Sequence, residues 1–463
     1  MKKCYYILII SFLFTLIIGG YSCKKDTTIY EQNIELNPFD PQTVLVTKYR
    51  NKVFDITRSN LLLDMTNKSI QPIASQFNGC IDFSLTNYDT LDFNDIVANF
   101  KPSGKEFYEI GRFDEPSIRY STLFADPEAD TKFIFYSKIH NLVFFQKDSK
   151  ESSNQEIIVM DRDGNKVKSI TNGFKVHVYK CLQLDDFRYL FSCFNERTQK
   201  DCLLIYHYQT DKLYIMSDKK QSYNLLEIYN NMLLTEIKNN DNSDIEVCIF
   251  NYEFVLQKSI CKISDVNSNN NGEWLIDKED NYLFFSYVSN RNECKILEIN
   301  INENSENVLF LKKIEFSSKE DQNRYHPPLS LYFDKERNSL IFITDKWDFF
   351  SEQTTLHFLD LTSKTTRVFL LPDKANYFFS SDGSYVLCLG VGTGNDEWSN
   401  NGIFDTYNNE FIDLQKKIDL DLNSQCVFSE HTKQFFISPH YTDYYPTLFV
   451  NVDGSLEEIT MGF

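Results

Sequence analysis

The sequence lacks the short motifs that identify several large classes of enzyme. Its 463 residues contain no HExxH, no GxSxG and no GxxxxGK[ST], which would hold zinc, carry a nucleophilic serine or cradle phosphate. The glycine-rich segment 390–394 does not qualify as a phosphate loop, because no helix is predicted to follow it. None of these three enzyme classes is therefore indicated.

Runs of lysine and arginine are also missing. The chain carries 47 Lys and Arg against 66 Asp and Glu, a formal net charge of −19. Nucleic-acid binding depends on Lys and Arg contacts to phosphate, so no nucleic-acid partner is predicted. The acidic residues are scattered instead of gathered in a tail, which is typical of a solvated surface.

Only one long apolar run is present, from Tyr5 to Ile18, after Lys2 and Lys3. Its 14 residues would form a helix of about 21 Å at the usual rise per residue. That length is short of the roughly 30 Å hydrocarbon core of a membrane. The run therefore predicts a signal peptide and not a membrane span.

The end of this segment, Gly20-Tyr21-Ser22-Cys23, resembles the lipobox of bacterial lipoproteins. The resemblance implies removal of residues 1–22, acylation of Cys23 and a tether over 23–36. Gly20 stands where leucine is usual and Tyr21 is bulky, so cleavage without lipid is the alternative. Lys24-Lys25-Asp26 resembles the charged start of outer-membrane lipoproteins. We therefore predict a lipid-anchored protein of the bacterial envelope, at the outer membrane, facing the periplasm or the surface.

The cysteines do not form a recognisable scaffold. Eleven are present, and without Cys4 and Cys23 an odd number remains, with no CxxC pair. Four of them lie inside apolar, strand-like runs, where a free cysteine behaves as a small hydrophobe: Cys193, Cys202, Cys248 and Cys388. We predict buried thiols, no metal site and no cofactor. A bridge within the set Cys181, Cys193 and Cys202 is the alternative.

A repeated unit dominates the second part of the chain. Seven apolar strands start 47, 43, 50, 58, 45 and 50 residues apart, and most follow a tight polar turn that predicts a hairpin. Each is followed by a second apolar strand that usually ends at Asp or Asn, and then by a weaker outer strand. The seven strands are 142–145, 189–194, 232–237, 282–288, 340–343, 385–389 and 435–437.

Four strands in about 48 residues are typical of a propeller blade, whereas helical repeats need apolar positions spaced by three and four. We predict an all-β propeller of four-stranded blades. The repeat count gives seven blades, six or eight are the alternatives, and a β-sandwich array is the competing fold. The pattern resembles propellers of bacterial envelope lipoproteins, of WD40 and TolB-like architecture, over residues 130–463. No Trp-Asp ending, kelch glycine pair or Asp-box occurs, so no family's functional residues are carried over. Residues 37–129 are predicted to add a blade or ring-closing strands.

Chemistry is predicted on one face. Loops joining the second and third strands, and loops joining blades, emerge together. In the last three units and one linker they carry aromatic and charged side chains suited to sugar rings or peptide side chains. The alternative is that these aromatics only cap the propeller. The candidate ligand-binding residues are Arg324, Tyr325, Trp347, Asp348, Phe349, Trp398, His440, Tyr441, Tyr444 and Tyr445.

The sequence thus predicts a ligand-binding or assembly module for a glycan or a protein. The first alternative is a polysaccharide- or peptide-degrading hydrolase or lyase. Acid–base cleavage of a glycosidic bond needs two carboxyl groups about 5 to 9.5 Å apart. Carboxylates and histidines of the loops would supply the acid and the base. The residues to test are Asp396, Glu397, Asp443, His326 and His440. A purely structural propeller is the second alternative, and the oligomeric state is not indicated.

Overall fold

The structure is a computed structural model that describes residues 34–459 with gaps. The longest gaps are 83–95, 315–328, 345–353, 391–400, 415–424 and 439–446. The signal segment and the last four residues, 460–463, also lie outside the described residues. No helix among the residues described is long and apolar enough to cross a membrane.

The described residues form nine four-stranded antiparallel sheets, here called blades 1 to 9 in chain order. They belong to two compact units. The larger unit, residues 74–418 and 452–454, holds blades 2 to 8. The smaller unit, residues 1–73, 419–451 and 455–463, holds blades 1 and 9.

Each blade of the larger unit is built from four strands that follow one another along the chain. Blade 2 comprises β5 (Gly79–Asp82), β6 (Ile96–Pro102), β7 (Glu109–Asp114) and β8 (Arg119–Phe124). Blade 3 comprises β9 (Ala129–Ser137), β10 (Leu142–Ser149), β11 (Gln155–Asp161) and β12 (Lys168–Ser169). Blade 4 comprises β13 (Val176–Gln183), β14 (Arg188–Asn195), β15 (Lys200–His207) and β16 (Lys212–Met216). Blades 5 and 6 comprise β17 (Gln221–Tyr229), β18 (Met232–Asn239), β19 (Ile245–Phe250) and β20 (Leu256–Ile263); and β21 (Glu273–Asp277), β22 (Tyr282–Val288), β23 (Glu293–Asn300) and β24 (Ser305–Lys313). Blades 7 and 8 comprise β25 (Leu329–Asp334), β26 (Ser339–Thr344), β27 (Thr354–Asp360) and β28 (Thr366–Leu371); and β29 (Ala375–Phe379), β30 (Tyr385–Gly390), β31 (Gly402–Asp405) and β32 (Glu410–Asp413).

The two blades of the smaller unit have the same plan. Their first strands, β1 and β33, contact each other. Blade 1 comprises β1 (Ile34–Asn37), β2 (Asp40–Lys52), β3 (Asp55–Asp64) and β4 (Ser69–Pro72), and blade 9 comprises β33 (Gln425–Ser429), β34 (Gln434–Ser438), β35 (Thr447–Asn451) and β36 (Leu456–Ile459).

The predicted all-β propeller of four-stranded blades is confirmed. The seven apolar strands of the repeat are the second strands of blades 3 to 9. The number of blades exceeds the seven expected, because residues 34–124 supply two complete sheets and not one. Strands of only four residues, such as Ile34–Asn37 and Gly79–Asp82, are too short to show an alternating pattern in the sequence.

The second and third strands are covered on both faces, as their continuous apolar runs require. In β26 all six residues are buried, whereas β24, a fourth strand, has no buried residue. Aromatic rings fill the contact between blades 3 and 4. The ring centroid of Phe144 lies 4.6 Å from that of Tyr189 and 5.6 Å from that of Phe191. Burial between adjacent sheets is therefore the main stabilising interaction of the repeat.

The Asp or Asn at the end of the third strand caps the turn that follows. Oδ1 of Asp360 accepts hydrogen bonds from the backbone N–H groups of Thr362 and Ser363, both at 2.8 Å. Asp161, Asn251 and Asp405 accept bonds in the same way. Short acceptor side chains are selected here because they satisfy turn N–H groups that the ladder leaves unpaired. The segment 161–165 is accordingly a turn.

Polar side chains of the second strands of blades 2 and 3 tie each of these blades to the first strand of the next. The side chain of Asn99, on β6, accepts a bond from Phe133 N at 2.8 Å and donates one to Thr131 O at 3.1 Å. Gln146, on β10, accepts a bond from Val178 N at 3.0 Å. These ties fix the relative height of neighbouring blades, and one of them leads directly into the site described below.

Candidate functional site

Every site residue predicted from the sequence lies outside the described residues. This holds for the aromatic loop residues, for the acid–base candidates and for the lipidation site: Arg324, Tyr325, His326, Trp347, Asp348, Phe349, Asp396, Glu397, Trp398, His440, Tyr441, Asp443, Tyr444, Tyr445 and Cys23. Their roles stay predictions. The strands that lead into the same end of the blades are described, and they carry a polar site of their own.

This end, here called the upper end, is the one where second strands pass into third strands. Near the upper end of blades 3 to 6 lies a series of neighbouring polar side chains, which we call the upper polar row. It consists of Gln146, Asp148, Tyr179, Asp201, Asn224, Glu236 and Trp274.

The row begins on β10. Nε2 of Gln146 donates a hydrogen bond to Oδ1 of Asp148 at 2.8 Å, and the other end of the amide accepts the bond from Val178 N. The side chains at positions 146 and 148 lie on the same face of the strand because side chains alternate along it. Gln146 therefore links Asp148 to the strand that carries Tyr179.

The centre of the row is the pair of Tyr179, on β13, and Asp201, at the start of β15. The side chains of Tyr179 and Asp201 interact, and this interaction lowers the pKa of Asp201 against the larger effect of desolvation. The pairing of β13 with β14 shifts between Val178 and Lys180, so Tyr179 lies in a β-bulge, which re-aims a side chain. Tyr179 is 49% exposed, and its ring meets that of His177 edge to face with centroids 5.7 Å apart.

The row continues into blades 5 and 6 through Glu236. Its Oε2 accepts a hydrogen bond from Nδ2 of Asn224 at 2.9 Å, and its Oε1 accepts one from Nε1 of Trp274 at 3.1 Å. The Trp274 ring stacks on Phe285 with centroids 4.1 Å apart. Trp274 is thus fixed by packing on one side and by a charge-assisted bond at its edge.

Two carboxylates of the row are partly removed from water. Desolvation raises the pKa of Asp201, and the charge of Glu236 adds to the rise while the bond from Tyr179 opposes it. Desolvation likewise raises the pKa of Asp148, against the bond from Gln146. Lysines moderate both effects, with Lys132 near Asp148, and Lys200 and Lys238 near Asp201.

The row therefore combines a half-exposed aromatic side chain, carboxylate acceptors and lysines whose charges act on two of those carboxylates. Such a set recognises ligands that offer an apolar face together with several polar groups. Among the described residues no group of three or more His, Cys, Asp or Glu is placed to hold a metal ion. Gln146 and Glu236 also tie neighbouring blades together, whereas Tyr179 and Asp201 both lie within blade 4.

A second cluster lies at the opposite, lower end of blades 3 and 4, and sequence reasoning did not detect it. The ring of His140 stacks on Phe187 at 5.6 Å and on Tyr208 at 5.4 Å, and Phe187 stacks on His207 at 6.2 Å. Phe187 and Tyr208 are 38% and 40% exposed. Aromatic residues within polar hairpin turns were the available signal, but the turns were interpreted only as turns.

No family model matches the chain, and no curated protein matches it. Among solved structures it is similar to a puromycin-hydrolysing peptidase from Mycobacterium tuberculosis, with 11% identity and a TM-score of 0.39 over 72% of this chain and 53% of that chain. An oligogalacturonate lyase from Vibrio parahaemolyticus gives 9% identity and a TM-score of 0.36 over 79% and 96%. TolB from Acinetobacter baumannii gives 10% identity and a TM-score of 0.29 over 78% of each chain.

Relative to the peptidases the chain is short. It spans about half the length of the puromycin-hydrolysing peptidase and of a prolyl endopeptidase that it also resembles, covering 53% and 47% of them. Likenesses of this size do not indicate what this chain binds or catalyses.

Proposed function

We propose that this chain is an exported, lipid-anchored β-propeller that binds a neutral glycan on the upper polar row. The observation that carries the proposal is the half-exposed side chain of Tyr179, which lies at a β-bulge and interacts with a desolvated carboxylate, Asp201. A fixed aromatic face costs little conformational entropy when a sugar ring stacks on it.

A neutral glycan matches the charges of the row better than an acidic glycan does. The carboxylates of Asp148, Asp201 and Glu236 are acceptors for sugar hydroxyls, and nearby lysines are donors. An acidic polysaccharide would meet these carboxylates and a net charge of −19, which opposes its approach.

The anchor follows from the N-terminal segment. We infer that residues 1–22 are removed, that Cys23 is acylated and that residues 23–36 form a tether to the outer membrane. Replacing Cys23 by alanine in the producing bacterium should move the chain from the membrane fraction to the soluble fraction. Membrane association that persists in Cys23→Ala would contradict the lipid anchor and leave the binding proposal intact.

The binding proposal is tested by thermal unfolding of the full chain in detergent with neutral oligosaccharides, acidic oligosaccharides and basic peptides. A ligand that binds only the native state at 100 times its Kd adds about 2.7 kcal/mol to the free energy of unfolding. We expect a raised Tm with at least one neutral oligosaccharide and its loss in Tyr179→Ala. Tyr208→Ala, which removes a ring of similar exposure at the lower end, is the matched control and should keep the shift.

Three outcomes would overturn the proposal: stabilisation by peptides alone, stabilisation by acidic oligosaccharides alone, or a shift that survives in Tyr179→Ala. The hydrolase or lyase alternative depends on Asp396, Glu397, Asp443, His326 and His440, all outside the described residues. Release of shortened product from a bound oligosaccharide, lost in Glu397→Gln, would favour that alternative.

A further inference from the structure

Blade 4 contains a pair of thiols in direct opposition. We propose that Cys193, on β14, and Cys202, on β15, form a disulfide bridge when the chain folds in an oxidising compartment. The bridge would be a covalent modification site within the strand pair that leads into Asp201. It rests on the export that the proposed function includes, but not on the identity of any ligand.

Strand pairing places the two residues directly opposite each other. The antiparallel register of β14 and β15 pairs Cys193 with Cys202. Residues directly opposite in an antiparallel pair have Cα atoms about 4.5 to 5.5 Å apart, within the range of about 4.4 to 6.8 Å that disulfides span. Both cysteines are free thiols in this structure, and side chains that lie directly opposite each other in an antiparallel pair project from the same face of the sheet.

Both thiols are enclosed by the core. Cys193 is 1% exposed and Cys202 is fully buried, in the cluster between blades 3 and 4 that includes Phe191 and Leu204. Replacing two thiols by a bridge removes two hydrogen atoms and brings the sulfur atoms together, which the surrounding apolar side chains accommodate without exposing a polar group.

A third thiol, Cys181 on β13, lies in the same cluster and is the competing partner. The register pairs Cys181 with Phe191, whereas Val178 lies opposite Cys193. Cys181 is therefore diagonal to Cys193, and diagonal neighbours in a sheet are farther apart than opposite ones. The geometry favours Cys202 as the partner and leaves Cys181 as a thiol.

The chemistry is a thiol–disulfide exchange with an external disulfide such as oxidised glutathione. The thiolate of one cysteine attacks a sulfur of the external disulfide, forms a mixed disulfide and releases one glutathione thiolate. The second cysteine, after losing its proton, displaces the other glutathione thiolate and closes the bridge. The protein loses two electrons and two protons, and the external disulfide is reduced to two thiols.

Burial decides when this exchange takes place. Desolvation raises the pKa of Cys193 and of Cys181 far above the usual thiol value, and only the thiolate reacts. The native, reduced chain should therefore react slowly with glutathione, and the bridge should form while β14 and β15 are still accessible during folding. The bridge would then close the turn 196–199 immediately before Asp201.

The test uses the full chain in detergent, unfolded with reductant and refolded in a mixture of reduced and oxidised glutathione. Free thiols are alkylated, and trypsin then cuts after Arg188, Arg197 and Lys200, which separates the two cysteines. We expect a linked pair of peptides, 189–197 with 201–212, in most of the refolded chain. Mass spectrometry should find the peptide 181–188 alkylated at Cys181.

The variants separate the pair from the other thiols. Cys193→Ala should remove the linked peptides, and Cys181→Ala should keep them. Cys388→Ala is the matched control, because Cys388 is buried and lies opposite Tyr377 and Gly402 and not opposite another cysteine. Alkylation of both Cys193 and Cys202 after refolding, or linkage of either one to Cys181 in the unmodified chain, would overturn the proposal. The readout needs no ligand, so it fails or succeeds independently of glycan binding.

Discussion

The guanidinium carbon of Arg337 lies 4.0 Å from the ring centroid of Tyr407, across the contact between blade 7 and blade 8. Arg337 also donates to the backbone and hydroxyl oxygens of Thr406, at 3.3 and 3.1 Å, and forms an ion pair with Asp334. Asp334 is 3% exposed. The side chain of Arg337 therefore joins two turns at the lower end and balances the charge of the buried Asp334 carboxylate.

The same arrangement recurs between blades 4 and 5. Arg188 pairs with Asp185, three residues earlier, and its guanidinium carbon lies 5.5 Å from the ring centroid of Tyr252. The sequences Asp185-Asp186-Phe187-Arg188 and Asp334-Lys335-Glu336-Arg337 share this Asp-x-x-Arg spacing. The repeat thus includes a charged contact between blades in addition to its apolar strands.

Arg337→Ala should lower the free energy of unfolding by about 3 kcal/mol, since it leaves Asp334 buried without its ion-pair partner and removes the stacking on Tyr407. Arg291→Ala is the control. Arg291 is 79% exposed and forms a 3.7 Å ion pair with Asp265, so its loss should cost about 0.5 kcal/mol or less. Urea unfolding measures both, and equal effects would contradict the role given to Arg337.

Asp360→Ala should lower the Tm, whereas Asp360→Asn should nearly preserve it, because Asn occupies the equivalent position in Asn251. Hydrogen bonds from backbone N–H groups lower the pKa of Asp360, and the bond from Ser363 has the largest effect. A group whose pKa is lowered in the folded state adds stability above its pKa in the unfolded state. This stability is lost as the pH falls through its pKa in the folded state. The difference between the unmodified chain and Asp360→Ala should therefore shrink under acidic conditions. Thermal unfolding at neutral and acidic pH checks this, and a pH-independent difference would argue against the cap.

Gly383→Ala should destabilise the chain more than Gly104→Ala does. Both glycines have positive φ, +65° and +83°, so alanine at either site costs about 1 kcal/mol in backbone strain. A Cβ at Gly383 would also lie 2.4 Å from the Tyr332 ring, whereas nothing lies within 4 Å at Gly104. We expect a loss of about 3 kcal/mol at Gly383 from strain and overpacking together. Chemical unfolding of the two variants measures the difference, and equal losses would show that Tyr332 moves freely.

Asp148→Asn should raise the Tm at neutral pH. Desolvation raises the pKa of Asp148 above its usual 3.8, so the charged form is disfavoured in the folded chain. A group whose pKa is raised in the folded state adds stability below its pKa in the unfolded state. This stability is lost as the pH rises through its pKa in the folded state. The gain from Asp148→Asn should therefore be largest at neutral pH and vanish near and below 3.8. Thermal unfolding across this range tests the sign, and a lower Tm at neutral pH would contradict it.

The strands that the sequence predicted best are those buried on both faces. Residues 142–145 and 340–343 are uninterrupted apolar runs because neighbouring blades cover both sides of β10 and β26, and the capping Asp or Asn marks where each third strand ends. Blades 1 and 2 lack such long apolar runs and were interpreted as one extra blade at most.

The upper polar row could not be predicted in the same way. Tyr179 and Asp201 meet only because a bulge shifts the register of β13, and Glu236 meets Trp274 from another blade, 38 residues away in the sequence. Residue type and periodicity contain no signal for either contact. The loop residues that did carry a signal, such as Trp347 and Trp398, lie outside the described residues.

The most direct test of the central claim is hydrogen–deuterium exchange of the full chain with and without a neutral oligosaccharide that raises its Tm. The account predicts slower exchange in β13 and at the start of β15, around Tyr179 and Asp201, with no change at the lower-end turns 184–187 and 208–211. Protection confined to those lower-end turns, or no protection in blades 3 to 6, would contradict the assignment of the upper polar row as the binding site.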